Sequence, residues 1–472
     1  MDFDIRIAKH AWWRSIAAAA ALSSLSSFWH APAFADNPII QTNFTADPAP
    51  LVHGDTVYLY TSHDEDDAQG FKMRDWRAYK SKDMVNWTDH GTVASLSIFP
   101  WAIQDNDAWA PQVVERDGKF FLYAPVSVKG SPKNVIGVAV ADNPLGPFKD
   151  PLGHPLIERG EGYFDPTALI DDDGQAYLYW GNPSLWYVKL NRDMISYSGA
   201  ISEIKAKPRN YQEGPWVYKR MGKYYLAYAS TCCSEGIGYA TSDRPTGPWA
   251  YQGQIMDPNV ESTGNHPGII DFRGKSYVFG FNYRLNFAET PLHRERRSVT
   301  VAELDYRPDG SIPKLPFWNQ TGVAQIQPIN PYERVEAETI AWESRIKRDW
   351  DRPFDWATGV RTARDPETGM YVVPVAARAY IKVAGVEFGA RSPKTLVMSV
   401  ASAGTGGTID VRIGSPTGAG IAKLDVPATG GAHRWTGVRV PTNGVTGRQD
   451  LFFVFNAGGK HVEFNVDFWK FE

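Results

Sequence analysis

The sequence predicts an all-β chain: a five-bladed β-propeller followed by a β-sandwich of the jelly-roll type. Three observations lead there. Five X-Pro dipeptides, Asp47-Pro48, Ala110-Pro111, Asp165-Pro166, Gly214-Pro215 and His266-Pro267, each stand six to eight residues before a glycine, namely Gly54, Gly118, Gly174, Gly222 and Gly274. Each glycine opens an aromatic, strand-forming run: Val57-Tyr58-Leu59-Tyr60, Phe120-Phe121-Leu122-Tyr123, Ala176-Tyr177-Leu178-Tyr179, Tyr224-Tyr225-Leu226-Ala227 and Ser276-Tyr277-Val278-Phe279. A strand–turn–strand unit repeated in phase is the sequence signature of a propeller. Beyond residue 331 the pattern changes to short alternating runs between Gly-rich turns, which predicts a sandwich.

Taken in chain order, residues 1–35 read as an export signal. Arg6, Lys9 and Arg14 precede the apolar run Ile16 to Leu25, which is too short to span a bilayer, and Ala33-Phe34-Ala35 forms an A-x-A-type cleavage site. The propeller is expected over 36–327. A second motif follows each aromatic run: Asp83-Met84-Val85-Asn86-Trp87, Asp142-Asn143-Pro144-Leu145-Gly146-Pro147-Phe148, Asn191-Arg192-Asp193-Met194 and Asp243-Arg244-Pro245-Thr246-Gly247-Pro248-Trp249. Asp and Pro-Gly set a turn there between the third and fourth strands of a blade, and the aromatic plugs its edge. Residues 328–331 read as a linker. The sandwich is expected over 332–472, with strands at Tyr380-Ile381-Lys382-Val383, Thr408 to Ile413 and Leu451 to Phe455.

Composition limits the partners. The 472 residues carry 49 Lys+Arg against 53 Asp+Glu, a balance that calls for neither nucleic acid nor an anionic membrane. No later run is long and apolar enough for a membrane helix. The 17 Trp and 13% aromatics suit both a β-rich core and the apolar faces of sugar rings. The two cysteines, Cys232 and Cys233, are neighbours and make no disulfide scaffold; they read either as two reduced small residues or as a redox-sensitive bridge at the pocket.

Three of the repeat units carry an acid at or beside the proline: Asp47, Asp165 and Glu213. Proline pushes the residue before it toward extended geometry, so Asp47 and Asp165 are expected to project from an inner strand in a set direction. Equivalent positions on five blades converge on one axis. Two carboxyls in different environments are the minimum for glycoside hydrolysis, one protonated donor and one ionised base, and a third nearby holds the donor's proton. His266 occupies the fifth equivalent position, where it is a candidate to hold an axial metal or water. Trp109 is a candidate to pack on the bound sugar, with core packing as its alternative. The Asp64 to Asp67 run reads as a solvated rim.

With those residues in place, the propeller resembles glycoside hydrolase family 43, through Ala46-Asp47-Pro48-Ala49-Pro50, Tyr163-Phe164-Asp165-Pro166, Glu213-Gly214-Pro215-Trp216 and Arg297-Ser298-Val299. The resemblance implies inversion, with Asp47 as general base, Glu213 as general acid and Asp165 orienting the acid. It also implies Arg297 as the arginine beside the base on the substrate side, and a calcium near His266. The C-terminal part resembles carbohydrate-binding module family 6, through Glu333-Arg334-Val335-Glu336-Ala337-Glu338 and Phe464-Asn465-Val466-Asp467-Phe468-Trp469. That resemblance makes Glu336, Glu338 and Asp467 candidates for a structural calcium. The sugar cleft departs from the pattern: Ala432 follows Gly430-Gly431 where many members carry tryptophan, no aromatic-plus-polar lip is evident around Tyr371 to Tyr380, and Trp435 reads as core. A weak, shifted or lost site is expected there, in a module that packs on the propeller. The expected function is an exported, periplasmic or extracellular, exo-acting glycosidase that needs no cofactor for its chemistry. It would remove α-L-arabinofuranosyl groups from plant cell-wall arabinoxylan, arabinan or their oligosaccharides. The alternatives are a β-xylosidase on xylo-oligosaccharides and a non-catalytic carbohydrate-binding propeller.

Overall fold

Each of the five proline–glycine units folds as an antiparallel meander whose strands pair in chain order. A computed structural model describes residues 33–131, 134–158, 164–318, 321–344, 359–459 and 462–472. The first sheet runs Thr45–His53, Thr56–His63, Asp75–Ser81 and Trp87–Ser95. The second runs Gln112–Arg116, Lys119–Ser127 and Asn134–Ala141. The third runs Thr167–Ile170, Ala176–Trp180, Trp186–Leu190 and Tyr197–Glu203. The fourth runs Tyr211–Arg220, Lys223–Ser230, Gly236–Ser242 and Ala250–Met256, and the fifth Gly268–Phe272, Lys275–Asn282 and Ser298–Leu304. All five turn glycines sit at positive φ, between 62° and 84°, a conformation that costs glycine nothing. The Asp- and Pro-Gly-rich motifs fall where expected, after the third strand of the first four sheets.

The first strand of each sheet lies beside the first strand of the next, and that of the fifth returns to the first. Side chains fasten neighbours together: Trp216 Nε1 donates to Ile269 O at 2.9 Å, and the Ala168 N–H donates to the Gln112 side chain. The segment before the first sheet laces onto the last strand of the fifth, with Ile39 N–H donating to Val299 O and Thr45 N–H to Arg297 O, both at 2.9 Å. Trp318 is fully buried against Gly280, where a Cβ would stand 2.3 Å from the indole Cζ2, so only glycine admits it.

The all-β expectation holds. Among the described residues the α-helical content is Arg284–Glu289, and no helix is long and apolar enough to cross a membrane. The expected export segment lies outside the described residues up to residue 32. Its last residues are part of the fold: Phe34–Asp36 pairs with Thr321–Ala324, and Ala35 is buried.

The C-terminal part is two stacked antiparallel sheets. One is ordered Val360–Asp365, Gly369–Pro374, Phe464–Phe471, Thr395–Ser402 and Gly431–Pro441; the other Trp342–Glu343, Tyr380–Glu387, Arg448–Ala457, Gly407–Ile413 and Gly420–Val426. Alternating inward residues such as Val383, Leu396, Phe453, Trp469 and Phe471 fill the space between them. Residues 328–331 are not a loose tether: Ile329 bridges Val386, and Phe471 N–H donates to Pro331 O at 2.7 Å. Thr339–Ile340 pairs with Thr88 and Trp87 and so adds a strand to the first sheet. Asn86 exchanges two hydrogen bonds with the Ala384 backbone, at 2.8 and 3.0 Å, so the Asp83 to Trp87 turn doubles as the docking point of this part. Trp435, expected in the core, is instead half-buried against Tyr371, with ring centroids 5.4 Å apart. His433 Nε2 lies 3.0 Å from Tyr371 Oη, so an aromatic and polar cluster does form around Tyr371 once strands distant in sequence are brought together.

Candidate active site

One small cavity is lined by Pro48, Pro111, Pro166, Pro215 and Pro267, and by Asp47, Asp165 and His266. The five prolines of the repeat therefore meet at one place. His266 is the hub: Nδ1 is 3.4 Å from Asp47 Oδ1, and Nε2 is 3.5 Å from Asp165 Oδ2 and 3.9 Å from Glu213 Oε1.

The expectation of an extended residue before proline fails where it matters. Asp47 and Asp165 have φ of 51° and 58°, and Gly214, also before proline, has 57°. The pairing register shifts between Ala46 and Ala49, and again between Glu213 and Trp216. The first shift takes Asp47 out of the regular ladder, and the positive φ of Asp47 and Asp165 costs about 1–3 kcal/mol for each residue. Gly214 has a second reason to be glycine, since a Cβ there would lie 2.8 Å from His266 Cδ2.

Each acid has its own partners. Asp47 Oδ2 accepts from Ser62 Oγ at 2.7 Å, and Oδ1 from Arg297 Nη1 at 2.9 Å. Asp165 Oδ2 accepts the Gly214 N–H at 3.1 Å, so it grips the residue that follows Glu213. Glu213 Oε2 accepts from Asn182 Nδ2, whose Oδ1 in turn accepts from Gln212 Nε2 at 2.9 Å. Burial pushes Asp165 up to about 7; the charge of His266 opposes the rise, and those of Glu213 and Asp47 add to it. Burial alone lowers His266, but the charges of Asp165 and Asp47 outweigh it and hold the imidazole up at about 10.

Arg297 is committed to carboxylates. It is 3% exposed, and besides Asp47 it grips Asp64 through Nε at 3.0 Å and Nη2 at 2.8 Å. Asp64 corrects a second expectation: it is wholly buried rather than part of a solvated rim, while Asp66 and Asp67 are exposed. The Asp64–Arg297 link spans 233 residues, which no local pattern reveals. Trp109 is half-buried between Phe71 and Phe164, with ring centroids 5.5 and 6.4 Å away. Tyr163 of the Asp165 motif lies outside the described residues. Ser62, Asn182 and Gln212 carried no sequence signal, being ordinary polar residues until the fold aims them.

The metal candidates divide. His266, Asp165 and Glu213 bring ligand atoms within 4.8 Å of one another, and because calcium prefers oxygen ligands the two carboxylates suit it better than the imidazole. In the C-terminal part, Arg334 holds Glu336 (Nη2–Oε2 2.8 Å) and Asp467 (Nη2–Oδ1 3.1 Å). Glu338 is buried, and its Oε2 takes no hydrogen bond among the described residues. Burial pushes its carboxyl well up, and the charges of Glu336, Asp89 and Asp467 add to that. An orphaned carboxylate oxygen among other acids fits a hard, oxygen-liganded cation. Cys232 and Cys233 form a disulfide, and both are exposed.

An all-β chain whose acidic side chains converge on one cavity has the machinery of a glycoside hydrolase. Residues 35–312 match Glycosyl hydrolases family 43, and the chain belongs to that family; residues 353–472 match Carbohydrate binding module (family 6). An arabinoxylan arabinofuranohydrolase from Bacillus subtilis is 33% identical, over 92% of this chain and 92% of its own length. The crystal structure of a family 43 arabinoxylan arabinofuranohydrolase from Bacillus subtilis, in complex with cellotetraose, superposes with a TM-score of 0.78 at 31% identity, covering 92% of this chain and 97% of that one. A xylosidase/arabinosidase from Bacteroides ovatus is 32% identical, over 58% of this chain and 95% of its own length.

Proposed function

We propose that the chain is an exo-acting, inverting α-L-arabinofuranosidase that removes arabinofuranosyl groups from arabinoxylan or arabino-oligosaccharides. One observation carries the reading: Asp47, Asp165 and Glu213 all lie within 4 Å of the His266 imidazole. We read the five sheets as five blades around the proline-lined cavity, which the cyclic contact of their first strands supports. Asp47, held in place by Arg297 and Ser62, takes the proton of a water attacking the anomeric carbon. Glu213 gives its proton to the leaving oxygen from the far side of the sugar. The imidazole between the two acids keeps them apart, as single-step inversion requires, since a water must fit between base and sugar. Asp165 orients the acid through Gly214 N–H and keeps a proton available near it.

Arabinose rather than xylose is favoured by domain content. The arabinoxylan enzyme aligns through both parts of this chain, whereas the xylosidase/arabinosidase aligns with little more than the five-sheet part. In this reading Trp109 and Phe71 wall the sugar site, the C-terminal module braces the first sheet, a calcium at Glu338 with Glu336 and Asp467 is structural, and residues 1–35 direct export. The deciding experiment is sugar release by wild type and Glu213→Ala, on arabinoxylan and on linear xylo-oligosaccharides, with the anomer read by proton NMR. Arabinose appearing first as the β-anomer, and absent with the variant, is expected. Xylose from the linear substrate alone sinks the arabinose assignment, and release undiminished in the variant sinks Glu213 as the acid.

A further inference from the structure

A fourth buried carboxylate stands beside the three at the cavity, and the mechanism above leaves it unused. Glu235 lies in the connection between Lys223–Ser230 and Gly236–Ser242, in the same sheet whose first strand carries Glu213. It is 1% exposed.

Its contacts all run to one turn. Oε2 accepts the Gly264 N–H at 2.6 Å, the backbone oxygen accepts from Ser262 Oγ at 2.5 Å, and the backbone N–H donates to Ser262 O at 3.3 Å. That turn leads within two residues to His266. It also touches the acid: Gly264 sits at φ 74°, and the position its Cβ would take is 3.7 Å from Glu213 Oε1. The carboxylate also has the sulfurs of Cys232 and Cys233 within 4.8 Å. Glu235 is thus fastened to the turn that flanks both Glu213 and His266.

We propose that Glu235 is a positioning residue for proton donation, fixing the Ser262–Gly264 turn so that Glu213 and His266 stay in register at the leaving oxygen. The inference rests on the reading of Glu213 as general acid. Its signature is dependence on the leaving group. A sugar hydroxyl leaves only with a proton, whereas 4-nitrophenolate leaves with little help, so a misplaced acid slows the first far more than the second.

The test compares wild type, Glu235→Ala and Glu235→Gln on arabinoxylan, on phenyl α-L-arabinofuranoside and on its 4-nitrophenyl analogue, with thermal midpoints alongside. Glu235→Ala is expected to lower kcat on arabinoxylan and the phenyl glycoside by about thirtyfold and on the nitrophenyl glycoside by less than about threefold, with KM within about twofold. Glu235→Gln, whose amide oxygen still accepts from Gly264, should recover most of the loss. In Glu235→Ala, equal losses on good and poor leaving groups, or no loss on either, overturn the proposal; where its thermal midpoint is lowered, the ratio of the phenyl to the nitrophenyl loss, measured well below that midpoint, decides, because partial unfolding slows both substrates alike. Wild type inactive on arabinoxylan but active on the aryl pair defeats the polymer assignment alone, and the aryl pair then decides Glu235. Wild type inactive on all three overturns both.

Discussion

The five-sheet part and the C-terminal module each hold three acids that sequence motifs single out, and the fold treats the two sets in opposite ways. Asp47, Asp165 and Glu213 face one imidazole. Glu336 and Asp467 face one guanidinium, Arg334, while Glu338 is shut in where the module meets the first sheet. The residue types match. The first set couples its members to one another through His266, and its backbone is held in rarely populated conformations. The second is largely settled by a permanent cation. Asp47 too has an arginine, Arg297, so the difference lies in the titratable imidazole that the first set shares and, among the described residues, the second lacks.

The sharpest way to break that contrast is to remove one acid from each set. Glu213→Ala or Asp47→Ala should lower kcat on arabinoxylan by about 10²–10⁴-fold, whereas Glu338→Gln should leave kcat within about twofold, since it touches no reacting group. Comparable losses from both parts, read by sugar release, would erase the distinction.

Asp165→Asn tests whether the cavity shares a proton. Because Asp165 is pushed up to about 7, the basic limb of the kcat/KM–pH profile in wild type should fall near there; removing this carboxyl should lower kcat by about tenfold to a hundredfold and move the limb to lower pH. Stability carries the same sign. A carboxyl raised in the folded state contributes stability in full below its unfolded value of about 4, and that contribution is lost as pH rises through about 7. The thermal midpoint of Asp165→Asn relative to wild type should therefore improve between pH 5 and pH 8, and a flat difference would count against a buried, proton-holding Asp165.

Gly214→Ala probes the backbone rather than a charge. Its Cβ would press on His266 and sit at φ 57°, so activity should drop by about tenfold or more while stability falls by about 1–3 kcal/mol. Unchanged activity, measured on arabinoxylan, would mean that His266 has room to move. The smallest effect is expected from Arg334→Ala. Arg334 is half-exposed, so its loss should cost about 1 kcal/mol or less, read as a modest drop in thermal midpoint. Added calcium should recover that drop through Glu336, Glu338 and Asp467, and failure to do so would count against a cation there.

Residue by residue, what could be read in advance follows the range of the interaction. The strand at Tyr224-Tyr225-Leu226-Ala227 and the turn at Gly222 are local, and both were legible because their pattern closes within a few residues. Asp47, Asp165 and Glu213 were legible because the repeat carries them in phase, so periodicity stood in for distance. Asp64 was misjudged because a run of acids ordinarily faces water, and its partner Arg297 lies 233 residues away. Trp435 was misjudged because its neighbour Tyr371 comes from another strand of the same sheet.

By itself the sequence determined the all-β class, the order and spacing of the sheets, and which acids to watch, because backbone propensity, turn chemistry and repeat phase act over short stretches of chain. Only the tertiary structure decided how those acids are used. The left-handed turns at Asp47 and Asp165, the placing of His266 among three carboxylates, and the burial of Asp64 and Glu235 all depend on strands from separate sheets meeting at one point. Burial and charge proximity are properties of that meeting, and they set which group holds a proton.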